Sequence, residues 1–424
     1  MAGGRFDTVN RIRPGFYANV DSDSLNVNFG GVRGVVTIPL SLGWGNVGKI
    51  VKVDATTNAL SVLGYEWDSP MLLQIREALR HANSVLICRV NSGTAATATN
   101  EGLTITAVNG GSRGNDITVR VIADVNNASY FTVETLIDTT LIDSQTVNDV
   151  VDLSPNNFVS FSGTGLVASA GIPLTGGVDN EGTTELYTDY LLELEKYVFN
   201  VIALPTDNET LKLLTANYVR RQRDGEGKYC QLVVANFKAD NEGIINVKDY
   251  ANAVSWVAGV TAGANVNEGN THRRYDGELS LTNLYSNAEI EDGLRSGEFI
   301  LRPDKENILV EQDINSLTTF TKQRNTFFRK NRVLRVLDTL INDLKDLASN
   351  FFIGSITNNL AGRTLFRTEV LNYMAGLEAL GAIENLETSD VEVIAGTEKD
   401  EVYVNIYIQP TDAIEKFFTA VKAR

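Results

Sequence analysis

Residues 184–235 read TELYTDYLLELEKYVFNVIALPTDNETLKLLTANYVRRQRDGEGKYCQLVVA. Two short apolar runs, 199–204 and 230–235, have the length and composition of buried strands. A helical pattern precedes each. One spans 184–197; the other opens at Asp207, an N-cap residue type, and places Leu211, Leu214 and Val219 on one face. Strands alternating with helices predict a mostly parallel sheet, covered on both faces.

The same rhythm occurs upstream. Val35-Val36-Thr37-Ile38 and Ile50-Val51-Lys52-Val53 read as strands. Ser69 is an N-cap and Pro70 suits the first helical position; Leu72, Ile75, Leu79 and Ala82 then form an apolar face. The run 85–90 is the next buried strand. Between the two α/β stretches the composition changes. Thr, Ser, Asn, Gly and Val dominate, and short alternating runs (116–122, 130–136) are separated by turn residues such as Asn109-Gly110-Gly111. That pattern predicts an all-β insertion, a small sandwich over 92–176, within a discontinuous α/β domain of 31–91 and 177–318.

Residues 319–416 form a third unit, of α+β type. Val333, Leu337, Leu340, Leu344 and Leu347 share one helical stripe; Phe366, Val370, Tyr373, Leu377 and Leu380 share another, with Met374 beside it. Gly381 is a C-cap for the second helix. A hairpin follows, with Val402, Val404, Ile406 and Ile408 alternating along its second strand until Pro410. Asp412 and Glu415 have capping-box spacing for a short last helix. Residues 1–30 and 417–424 remain as extended arms. In the first, Gly15 to Val20 is a strand-like island with no local partner, and Pro14 bars a helix before it.

The whole chain has 424 residues and a formal net charge of -16, with a pI near 4.7. Such a chain exceeds a single core, and its charge opposes general binding to phosphate backbones. Cys88 and Cys230 both sit in apolar runs and read as core residues. No signal-peptide core or membrane-length apolar run occurs, so the expected site of synthesis and assembly is a cytoplasm, without membrane insertion.

Chemistry-bearing patterns are sparse. The two histidines, His81 and His272, stand apart from any clustered Cys, His or carboxylate set. Gly163-Thr164-Gly165 resembles a loose dinucleotide pattern, yet it lies in the β insertion with no helix after it, and so reads as a turn. No phosphate loop is present, and Asp21 with Asp23 lacks the rest of a calcium loop. No catalytic residue, metal or cofactor is expected. One run is unusual: Lys322, Arg324, Arg329, Lys330, Arg332 and Arg335 are uninterrupted by an acid. Its ordinary reading is a solvated face; its sharper reading is a contact for an acidic protein surface.

Several blocks, in order, resemble the contractile phage tail sheath family, in the branch of Gram-positive phages and diffocin-like R-type bacteriocins. They are Gly3-Gly4-Arg5-Phe6 with Arg13-Pro14-Gly15 and Tyr17; 34–40 with Trp44-Gly45; Leu174-Thr175-Gly176-Gly177; Trp256-Val257-Ala258-Gly259; Ile314-Asn315-Ser316-Leu317; 332–338; Gly362-Arg363; Gly381-Ala382-Ile383; and Ile408-Gln409-Pro410 with 412–416. The resemblance implies a subtilisin-like, non-catalytic α/β domain carrying the β-sandwich, plus the C-terminal α+β domain. It also implies stacked rings of identical subunits around an inner tail tube, with baseplate and tail terminator proteins as further partners and no nucleic acid.

Assembly would take place in a host bacterial cytoplasm, and the product would be a virion tail or a released bacteriocin particle. The arms would join subunits by strand addition, through Phe16, Tyr17, Val20, Val402, Val404, Ile406, Ile408, Phe418 and Val421. The basic run would meet the tube or a neighbouring subunit. The rival readings are another virion protein, such as a tube subunit, and an active or degenerate subtilisin-like serine hydrolase. The latter needs an Asp-His-Ser set, whose local context neither histidine has.

Overall fold

The computed structural model describes residues 33–127, 129–322 and 324–422, together with the main chain of 2–4 and 15–17. At its centre is a seven-stranded sheet ordered 298–299, 244–247, 231–235, 201–204, 35–40, 84–89, 50–53. Neighbours run parallel except Ile50–Val53, which is antiparallel to Ser84–Arg89. Successive side chains point to opposite faces, and both faces are covered. Val36, Ile38, Val201 and Val233 pack in one layer with Leu72, Ile75, Trp256 and Val257. Val35, Ile202, Leu232 and Val234 pack in the other with Tyr190, Leu194, Leu211 and Val219.

Local signals set the helix ends. The Ser69 side chain accepts from the Met71 amide, and Pro70–Leu72 makes one 3₁₀ turn before the α-helix Leu73–Leu79. The helix Glu209–Arg220 is capped by Asn208, whose side chain accepts from the Thr210 and Leu211 amides. Asp207, the expected cap, stands one position too early to reach them. Cys88 and Cys230 belong to the second core layer, where burial pushes both thiols up to about 12.

The insertion is a β-sandwich. A four-stranded sheet (140–147, 131–137, 117–123, 169–173) faces a three-stranded one (159–163, 103–107, 97–100). Leu103, Ile105, Val119, Val133 and Phe158 lie in the buried core. The chain leaves and returns through the antiparallel pair Asn91–Thr94 and Val178–Gly182. This neck is narrow: a Cβ at Gly110 would lie 2.1 Å from the Gly93 carbonyl oxygen, so no larger residue fits. Trp44 of the central layer stacks on Phe158, centroids 5.3 Å apart, and Arg113 pairs with Asp138 while donating to the Gly64 carbonyl. Gly163, at φ 136, ends the strand 159–163 opposite Leu103, and the loop falls just after it at 164–168.

The C-terminal unit contains the helices Asn331–Leu347 and Leu360–Ala379. Their apolar faces meet through Val336 and Leu340 on one side and Val370, Tyr373, Met374 and Leu377 on the other. The stripe is rotated from the expected one: Val336 enters this core, and Leu337 is half-buried. Gly381 adopts φ 69 directly after the second helix, and its amide bonds the Glu378 carbonyl. The hairpin Val391–Ala395 and Val402–Ile406 follows.

Two further local expectations fail. The short helix after Pro410 does not form; the described tail there has no regular structure. Its proposed capping carboxylate, Glu415, is instead taken by Lys330, Gln312 and Thr271. The island at Gly15–Tyr17 does have a local partner, since Ala2–Gly4 pairs with it in parallel, Ala2 opposite Gly15. Ala-Gly-Gly carries no hydrophobic pattern and reveals nothing to side-chain periodicity. It contributes main chain alone.

Candidate assembly surfaces

The hairpin 391–395/402–406 is a two-stranded sheet that gains no third strand among the described residues. Its inner side packs on the helix pair through Val391, Val393, Ile406 and Ile408. Ile394, Val402, Tyr403 and Val404 are exposed. A lone two-stranded sheet is marginal in water, and an open apolar edge invites pairing. The tail beyond it adds Ile414, Phe417, Phe418 and Val421, with Phe418 94% and Val421 90% exposed. Of the N-terminal arm, Phe16 and Tyr17 lie in the strand Gly15–Tyr17, and Val20 falls outside the described residues.

The six cations of the basic run do not form one surface. Lys322 is exposed, and Arg324 lies 3.4 Å from Glu242 and 3.5 Å from Asp224. Arg329 is half-buried, with two guanidinium nitrogens that find no hydrogen-bond partner among the described residues. Lys330 pairs with Glu415 and Asp412, and Arg332 donates to the Thr411 hydroxyl. Arg335 is interior, 3% exposed, beside Asp313 at 3.7 Å. A position one helical turn inside a buried helix cannot serve as a solvated contact, which removes Arg335 from the expected patch.

The cause is a second face on the helix Asn331–Leu347. Asn331, Arg335, Asp338, Asn342 and Lys345 recur at helical spacing, opposite the apolar stripe. This polar face packs against the central domain. Asn331 donates to Asp313 at 2.9 Å and accepts from Gln231 at 3.2 Å. Arg223 grips Asp338 with two bonds of 2.6 and 2.9 Å. Asn342 exchanges both main-chain bonds of Tyr229, at 3.1 and 2.9 Å, and Lys345 reaches the Glu226 carbonyl at 2.9 Å. Burial alone would loosen the Arg223 proton, but the Asp338 carboxylate outweighs it and holds the guanidinium charged more firmly than usual. Sequence reading missed this seam because polar residues at helical spacing look like a solvated face. The matched period of the polar positions was the available signal.

The histidines are structurally engaged or exposed. His81 Nε2 lies 3.1 Å from Asp276, and its ring meets Trp256 edge-on; Trp256 Nε1 donates to the same carboxylate at 2.8 Å. Ser255, beside that tryptophan, donates to Gln74 at 2.6 Å. His272 is exposed, at φ 61. Among the described residues no group of three or more His, Cys, Asp or Glu could hold a metal ion, and no helix is long and apolar enough to cross a membrane.

The fold and its surfaces thus define a multidomain α/β chain that carries a β-sandwich and, in its C-terminal unit, a two-stranded hairpin with exposed apolar residues. Four family models match it in succession: the tail sheath protein Gp18 domain III N-terminal region at 33–90, the phage tail sheath β-sandwich domain at 91–179, the phage tail sheath central domain at 180–316 and the phage tail sheath C-terminal domain at 323–424. The sheath tail protein of Desulfitobacterium hafniense is 41% identical and superposes with a TM-score of 0.87, over 96% of this chain and 99% of that one. The phage-like element PBSX protein XkdK of Bacillus subtilis (strain 168) is 34% identical over the full length of both chains. The fold also matches the helical sheath of the anti-feeding prophage in its contracted state, at 11% identity and a TM-score of 0.56, over 97% of this chain and 99% of that one. The chain belongs to the phage tail sheath protein family, whose role is structural.

Proposed function

We propose that this chain polymerises into a contractile helical sheath around an inner tail tube, and that contraction drives the tube into a target cell. The observation that carries this reading is the two-stranded 391–395/402–406 sheet, followed by a tail that exposes Phe417, Phe418 and Val421, in a chain similar to sheath proteins from end to end. A subunit of this kind needs no nucleotide, because its work is stored in the assembly. The α/β layer serves as a non-catalytic, subtilisin-like scaffold. The sandwich, attached by its narrow neck, faces outward.

Strand donation completes the sheet. An arm of one neighbour and the tail of another add to its edges, and main-chain bonds persist while the domains reorient. Of the basic run, Lys322 and Arg324 stay exposed, Arg324 while paired with Glu242 and Asp224, and these two meet an acidic tube or neighbour. Baseplate and terminator proteins close the two ends. Assembly takes place in the bacterial cytoplasm, and the product is a phage tail or a bacteriocin particle.

Sedimentation of the purified full chain tests the proposal. It should show long, polydisperse assemblies far heavier than the 46.3 kDa monomer. A lone monomer across all salt and protein concentrations would argue against it.

A further inference from the structure

The tail is not free from the point where the last strand ends. Thr411 makes the last hydrogen bond between two main-chain groups in the described tail, from its amide to the Ala382 carbonyl at 3.0 Å. The next four residues are held only through side chains. Asp412 lies 3.5 Å from Lys330. The Glu415 carboxylate, with its side chain 11% exposed, accepts from Lys330, from Gln312 Nε2 at 2.6 Å and from Thr271 Oγ1 at 2.8 Å. Thr271 and Gln312 belong to loops of the central part of the chain, and Lys330 precedes the long helix. Three separate segments therefore converge on one carboxylate. Beyond Lys416, Phe417 and Phe418 are exposed.

We propose that Glu415 is a clip that fixes the root of the C-terminal arm, so that the arm leaves the subunit from a set point and in a set direction. This rests on the strand-donation reading given above. An arm that must find a neighbour's sheet edge binds better when its root is immobilised, because fewer residues are ordered on docking. The clip is polar and made by side chains, so it can open without unfolding either domain. Opening would lengthen the arm by residues 412–415, a gain in reach of about 13 Å.

The test uses full-length protein spin-labelled at Lys416→Cys and Glu306→Cys; both sites are exposed, while Cys88 and Cys230 are buried. With Glu415 intact, the inter-label distance in the monomer should be narrowly distributed. Glu415→Ala should broaden it several-fold and raise the protein concentration at which assembly begins by about tenfold. Gln312→Leu, which removes one bond from the opposite side, should move both readouts the same way by less, and it guards against a folding defect peculiar to the first variant. An unchanged distance distribution would show that there is no clip. A broadened distribution with an unmoved onset of assembly would show that the clip does not position the arm; either result overturns the proposal. Deletion of 419–424 is run in parallel. If that deletion leaves assembly unchanged, strand donation by this tail fails, whatever the labels report.

Discussion

Replacing Asp338 with alanine should lower the stability of the seam between the central and C-terminal domains by about 3–5 kcal/mol. The change leaves the Arg223 guanidinium, 6% exposed, buried without its counter-ion. An unpaired interior charge costs far more than the net worth of the pair it came from. The loss should appear as a lower denaturant midpoint for the C-terminal unit and as faster hydrogen exchange along 331–347. The double change Arg223→Met with Asp338→Leu should recover most of the stability, since it removes both charges. If Asp338→Ala is neutral, the seam is not held by this pair.

The second large effect concerns assembly. Deleting residues 1–22 should leave a folded monomer, since the cores described here are built from Val35 onward. It should nevertheless abolish cylinder formation, because the donated strand is gone. Each main-chain hydrogen bond contributes only about 0.5–1.5 kcal/mol net, but several per arm, repeated at every subunit, decide whether rings stay linked. Removing 419–424 should weaken assembly more mildly, since Thr419, Lys422 and Arg424 make that end polar. Light scattering at high protein concentration separates the cases. Normal cylinders from the 1–22 deletion would mean that the N-terminal arm does not connect the subunits.

Side-chain periodicity exposed those parts of the architecture whose burial is apolar. The sheet strands 199–204 and 230–235 and the alternating strands of the sandwich follow hydrophobic pattern, because one or both of their faces enter a core. The blocks from Gly3 to Lys416 were distinctive enough in their order to indicate the sheath family. What sequence reading missed is polar or main-chain in origin. Asn331 and Asp338 sit in a seam whose partners Gln231 and Arg223 lie 100 and 115 residues away in sequence and appear only once the chain is folded. Glu415 had the spacing of a helix cap, yet three distant donors claim it first. Ala2-Gly3-Gly4 pairs through its backbone and leaves no side-chain trace.

A helical reconstruction by electron cryo-microscopy of the assembled protein bears most directly on the proposed linkage. Each 391–395/402–406 hairpin should be flanked by strands from two other subunits, making a sheet of at least four strands, with the tail beyond Glu415 leading into a neighbour. Cylinders in which the hairpin edges remain bare, or preparations that never form cylinders, would show that strand donation is not what joins these subunits.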